Sequence, residues 1–106
     1  MKWRRKPGQR PTWLNSDNSV DLLVPVTYHI GDERNQMVKV KLRRLTAKER
    51  RMMDGPGLAT DIVLEVVAAM TGDPVSLLER IDSVDLDRIE DVLGFFMEPG
   101  SVTSPT

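Results

Sequence analysis

Two runs of alternating apolar and polar residues, one turn apart, constrain this chain more than any other feature. In the first, Leu22, Val24, Val26, Tyr28 and Ile30 share one face of an extended backbone, and Asp21, Thr27 and His29 share the other. In the second, Val38, Val40 and Leu42 alternate with Lys39, Lys41 and Arg43. Period two marks a half-buried strand. The intervening Gly31-Asp32-Glu33-Arg34-Asn35 is turn chemistry, so the pair reads as a β-hairpin. Pro25 has no N–H for a ladder, so the first strand must be an edge or bend there. A hairpin alone is marginal in water and needs helices against its apolar face.

The helices follow at once. Thr46-Ala47-Lys48-Glu49 has capping-box spacing, in which each end residue satisfies a free N–H of the first turn. A short basic helix should run from Ala47 to about Met53 and break at Asp54-Gly55-Pro56-Gly57. A second should run from Leu58 to Thr71 and end at Gly72, a natural left-handed cap. Pro74 can open a third, reaching Ile81, because proline is tolerated at the first helical position. Asp82 or Ser83 caps a fourth, which Pro99-Gly100 stops. The expected fold is α+β: an N-terminal β-hairpin packed on three to four short helices.

Helical periodicity assigns the faces. In the second helix Ala59, Ile62, Val63, Val66, Val67, Ala69 and Met70 face the core, opposite Asp61 and Glu65. In the fourth, Leu86, Ile89, Val92, Leu93 and Phe96 form the stripe, opposite Asp87, Arg88 and Asp91. Leu64 and Phe95 fall outside these stripes. They are therefore the expected contact residues for self-association or a partner, with Met52 and Met53 as further candidates that would line an adaptable surface.

At 106 residues the chain is one domain. Residues 1–19 show no periodicity and contain Pro7, Gly8 and Pro11, so they read as a disordered basic arm. The folded domain is expected over 20–98, with a flexible tail over 99–106. The net charge of −1 hides a split. Residues 1–19 carry five basic side chains and one acid, 20–54 eight and five, and 55–106 two and ten. Such asymmetry suits a nucleic-acid-binding arm, intramolecular pairing, or head-to-tail association of copies. Within the arm, Trp3, Arg4, Arg5 and Lys6 could meet phosphates and stack on a base.

Catalytic chemistry is what the sequence lacks. There is no cysteine, which fits a reducing cytoplasm and excludes thiolate metal sites. His29 is the single histidine and has no second ligand type near it in sequence. The acids of the last helix stand at caps or on a polar face, without the spacing of a calcium loop. Asp54-Gly55-Pro56-Gly57 lacks the lysine and the preceding strand of a phosphate loop. No cofactor is implied. No apolar run is long enough for a membrane span, and no apolar segment follows the N-terminal charges as in a secretory signal.

The order of these elements carries a resemblance. An alternating strand runs into Leu42-Arg43-Arg44-Leu45-Thr46-Ala47, with Leu45 where proline is more usual. A helix follows, then the break Ala69-Met70-Thr71-Gly72-Asp73-Pro74, the short Leu77-Leu78 helix, and Asp82 and Asp85 ahead of a last helix ending in Phe95-Phe96. Over about residues 20–97 this pattern resembles the small tail assembly chaperones of contractile-tailed phages and prophages. The resemblance implies a non-catalytic protein of the bacterial cytoplasm, absent from the finished virion. Its implied partners are the tape-measure protein, kept soluble during tail assembly, and the tail-tube protein, with self-association of the chaperone as well. Two alternatives stand beside it: a small nucleic-acid-binding regulator using the arm and the basic face, and a minor structural protein of the virion.

Overall fold

A computed structural model describes residues 9–57 and 59–98 of the chain. Strands β1 (Ser19–Ile30) and β2 (Glu33–Lys41) form a two-stranded antiparallel sheet. Four helices follow: α1 (Ala47–Asp54), α2 (Ala59–Thr71), α3 (Val75–Leu78) and α4 (Ser83–Phe96). The α+β class and the hairpin-then-helices order are as the sequence leads one to expect.

The hairpin turn is tighter than the five polar residues suggest. Ile30 pairs with Glu33, leaving Gly31 and Asp32 as the loop. Gly31 takes φ 61°, a conformation that glycine adopts without steric cost and that suits the right-handed twist of the strands.

The register is not continuous. Asp21 faces Lys39 and Val26 faces Met37, so residues 22–25 of β1 stand opposite Val38 alone. This bulge forms where Pro25 cannot donate. It also changes the phase of both strands. Val20, Leu22 and Val26 are buried on β1, Met37 and Val40 on β2, and Leu42 just after β2. Val24, Ile30 and Val38, expected inward, are 50%, 66% and 48% exposed. A strict alternation cannot survive an irregularity that shifts one strand against the other.

Helix boundaries follow their punctuation. Thr46 and Glu49 form the capping box, with the Thr46 N–H donating to Glu49 Oε1 at 2.9 Å. Gly72 takes φ 81°, and its N–H bonds the Ala68 carbonyl at 2.9 Å to close α2. Pro74 caps α3, which is only four residues long and ends at Leu78 rather than Ile81. Asp82 caps α4 by accepting the Val84 N–H at 3.0 Å.

One apolar core joins the sheet to α2, α3 and α4. Two helical faces are wider than periodicity alone suggested. On α2 the buried residues are Val63, Leu64, Val66 and Val67, while Ala69 is exposed. On α4 they are Asp85, Arg88, Ile89, Val92, Leu93, Phe95 and Phe96. Leu64 and Phe95 are 7% and 0% exposed, so the contact role expected of them is corrected: both are core. The single-stripe assumption fails because each helix is covered on more than one side. Phe95 also lies against Phe96, with ring centroids 5.8 Å apart.

The domain begins earlier than residue 20. Leu14 is buried and forms an antiparallel bridge with Val20, and Trp13 packs on the core. The polar run Asn15 to Ser19 is an ordered loop. Ser19 is fully buried, and its hydroxyl donates to Asp17 Oδ1 at 2.6 Å and accepts from Asn15 Nδ2 at 3.0 Å. Arg10 ties the loop down through the Asn15 carbonyl and Asn18 Oδ1. Asn18 adopts φ 68°, which asparagine tolerates better than most residues. Over 9–19 the expected disorder is therefore corrected. Composition misled because turn-forming polar residues are the same in a mobile arm and in a hydrogen-bonded loop. Trp3, Arg4, Arg5, Lys6 and the tail 99–106 lie outside the described residues.

Candidate interaction surfaces

The bulge that breaks the hairpin register is held by a buried charge. Between its paired positions β1 leaves the N–H groups of Leu23 and Val24 without a strand partner, and the Asp85 carboxylate takes both. Leu23 N–H donates to Oδ1 at 2.9 Å and Val24 N–H to Oδ2 at 3.0 Å. Asp85 is 0% exposed. Arg88, one turn further along α4, donates through Nη1 to Asp85 Oδ1 at 3.1 Å and to the Asp21 carbonyl at 3.3 Å. The Trp13 indole donates to the Arg88 carbonyl at 3.1 Å, and the Arg88 guanidinium lies 5.8 Å from the Trp13 ring centroid. A carboxylate buried with two amides and a guanidinium has its charge compensated and its lone pairs used.

Sequence reasoning placed Asp85 and Arg88 at a cap and on a polar face, and both placements are overturned. A signal for them existed. Asp85, Arg88, Val92 and Phe95 are spaced i, i+3, i+7, i+10, a second buried stripe beside that of Ile89, Leu93 and Phe96.

The clamp has an outward consequence. With their amides turned to Asp85, Leu23 and Val24 are 64% and 50% exposed. Val84, next to Asp85, is 44% exposed, and Val38, opposite the bulge, is 48% exposed. Four large apolar side chains are thus exposed at the bulge or next to it in register or sequence to the residues that hold it. Met52 and Met53 are half-buried against the core and expose only part of their side chains.

A second surface is basic. Lys39, Lys41, Arg43, Arg44, Lys48, Arg50 and Arg51 are all exposed along β2 and α1. Glu49, the acid within this stretch, is turned inward and is 5% exposed. Its carboxylate receives Arg43 Nη1 at 2.7 Å and Nη2 at 3.2 Å, which with the Thr46 N–H holds its pKa down at about 2. The same bond raises the Arg43 pKa. Arg50 reaches Asp54 one turn on, at 3.6 Å on an exposed face.

Two open grooves, each of about 450 Å³, lie along the hairpin. One follows β2 from Lys39 to Arg43 and is closed by Met70 and Thr71 of α2. The other lies between Tyr28 and Ile30 near the hairpin tip and Leu77 and Arg80 around α3. Asp73 borders both. Neither is a deep pocket with convergent catalytic groups. His29 is exposed on β1. Among the described residues no three His, Asp or Glu side chains gather as metal ligands, and no helix is long and apolar enough to cross a membrane.

These features define a small α+β domain with displayed apolar and basic surfaces. No protein-family model, curated protein or solved structure matches the chain.

Proposed function

We propose that this chain is a non-catalytic assembly chaperone of the phage-tail type, acting in the bacterial cytoplasm on the long helical tape-measure protein. The observation that carries the reading is the order of its elements. An alternating strand leads into a capped basic helix, then an apolar helix, a Thr-Gly-Asp-Pro break, a short leucine helix and an acidic helix ending in two phenylalanines. The exposed Leu23, Val24, Val38 and Val84 supply what such a protein needs, a shallow apolar surface that shields a partner's apolar stripe. Recruitment of the tail-tube protein and self-association belong to the same proposal.

Co-expression of the tagged chain with the longest helical open reading frame downstream of its gene tests the reading. Soluble recovery of that partner, reduced by Leu23→Ser with Val84→Ser, is the expected result. A partner that stays insoluble, or is captured equally by the variant, overturns it. Analysis of purified particles separates this role from that of a minor virion protein, which would be found in them.

The exposed cations of β2 and α1 favour one other reading, a nucleic-acid-binding regulator. Its signature is binding to duplex DNA that falls steeply with salt.

A further inference from the structure

The outer edge of β2 has a property that neither surface above uses. Leu42 N–H donates to the Asn18 carbonyl at 2.9 Å, and Val40 is paired with Val20. Alternate residues of an antiparallel strand turn their N–H and C=O groups to opposite sides. Residues 40 and 42 therefore address β1, and Lys39 and Lys41 present their backbone groups to the groove on the other side. Among the described residues the sheet has two strands, and β2 has no strand neighbour on that side. Among the described residues no hydrogen bond meets the outward backbone groups of Lys39 and Lys41.

The side chains of this edge alternate in a way that selects an occupant. Val40 and Leu42 point into the core, where the groove continues over Met70, and Lys39 and Lys41 are exposed on the opposite face. Among the described residues no ion pair engages either lysine. Asp21 is the cross-strand neighbour of Lys39, and Asp17 feels the field of both lysines, but each acid lies on the β1 side. A second copy is disfavoured as occupant, because pairing edge to edge would set these lysines against their own kind.

We propose that this edge receives an extended segment of a partner protein by strand addition, and that the segment alternates apolar residues with carboxylates. Its backbone completes the ladder at Lys39 and Lys41. Its apolar residues lie over Met70 and Thr71, and its carboxylates stand beside the two ammonium groups, on the face opposite Val40 and Leu42. This mode of recognition does not depend on the partner being the tape-measure protein.

The test titrates the ¹⁵N-labelled full chain with two synthetic peptides of about eight residues, a common strand length. One alternates valine with glutamate and the other valine with lysine. The expected result is binding of the glutamate peptide alone, with shifted and exchange-protected amides at Lys39 and Lys41. Lys39→Glu with Lys41→Glu should reverse the preference. Both sites are exposed, and an unchanged amide spectrum elsewhere confirms that the variant is folded. Equal binding of the two peptides, no binding at millimolar concentration, or shifts confined to α1 would overturn the proposal. A failed tape-measure capture with successful peptide binding rejects the chaperone reading and leaves this one standing.

Discussion

Asp85 and Arg88, one turn apart on α4, form an ion pair of 3.1 Å in which the carboxylate is wholly buried and the guanidinium nearly so. The pair belongs to the strand as much as to the helix. Asp85 accepts the Leu23 and Val24 amides, and Arg88 donates to the Asp21 carbonyl, so the two side chains hold the start and the middle of the bulge. Replacing Asp85 by alanine strands two amides and a buried cation at once. Breaking such a pair costs about 3–5 kcal/mol, a large fraction of the stability of a domain this size. Urea unfolding of Asp85→Ala should show this loss. Arg88→Met should be comparably damaging, because it leaves the carboxylate buried without its counter-ion. The double variant should lose less than the sum of the two, the mark of direct coupling.

Glu49 makes stability depend on acid. Hydrogen bonds from Arg43, and next from the Thr46 N–H, lower its pKa from the usual 4.5 to about 2 in the folded chain. A carboxylate with a depressed folded pKa stabilises the fold above its unfolded pKa, and the contribution fades as pH falls from 4.5 towards 2. Glu49→Gln should therefore be less stable than the parent at pH 6, by about 1–3 kcal/mol for a lost charge-assisted bond. The gap should close towards pH 2. Denaturation midpoints of both proteins at pH 6, 4 and 2.5 check the sign as well as the size.

The end of α2 isolates backbone strain from packing. Gly72 takes φ 81°, yet a Cβ built there meets nothing within 4 Å. Gly72→Ala should cost about 1–2 kcal/mol from the left-handed conformation alone. Gly72→Asn should cost less, since asparagine enters that region more readily. If alanine and asparagine prove equally harmful in thermal unfolding, something other than φ governs the site.

Leu64 and Phe95 show how far the sequence could be read. Caps, breaks and the period-two runs are local events, and Thr46, Gly72, Asp82 and the hairpin all stand where those signals put them. Which side of a helix is covered is decided by neighbours distant in sequence. Phe95 is buried on the same flank of α4 as Arg88 and Asp85, a flank that Trp13 and β1 cover at those two residues. Likewise, the phase of β2 follows from a bulge opposite it on β1. The candidate surfaces were legible only in part. The basic run was plain in the sequence, and Leu23 is exposed as simple alternation with the buried Leu22 requires, whereas the exposed Val24 and Val38 arise from the register shift. Phe95→Ala should cost about 3–5 kcal/mol and Leu64→Ala about 2–5 kcal/mol. Leu23→Ser and Val84→Ser, on the exposed side, should stay within about 0.5 kcal/mol of the parent. Calorimetry of the four variants separates core from surface.

Trp13 tests where the domain begins. Its indole bonds the Arg88 carbonyl across 75 residues of sequence, and its neighbour Leu14 is buried beside Val20. If this segment is part of the folded unit, Trp13→Phe should cost about 1 kcal/mol for one hydrogen bond. Leu14→Ala should cost about 2–5 kcal/mol as a core truncation. In a Trp3→Phe background, where Trp13 is the remaining tryptophan, fluorescence should also report unfolding, and its transition should coincide with that of the far-ultraviolet circular dichroism of the helices. A Trp13 signal that changes well before the helices melt would mean that the N-terminal segment docks on the domain without sharing its cooperativity. The clamp at Asp85 would then have to hold the bulge without the indole.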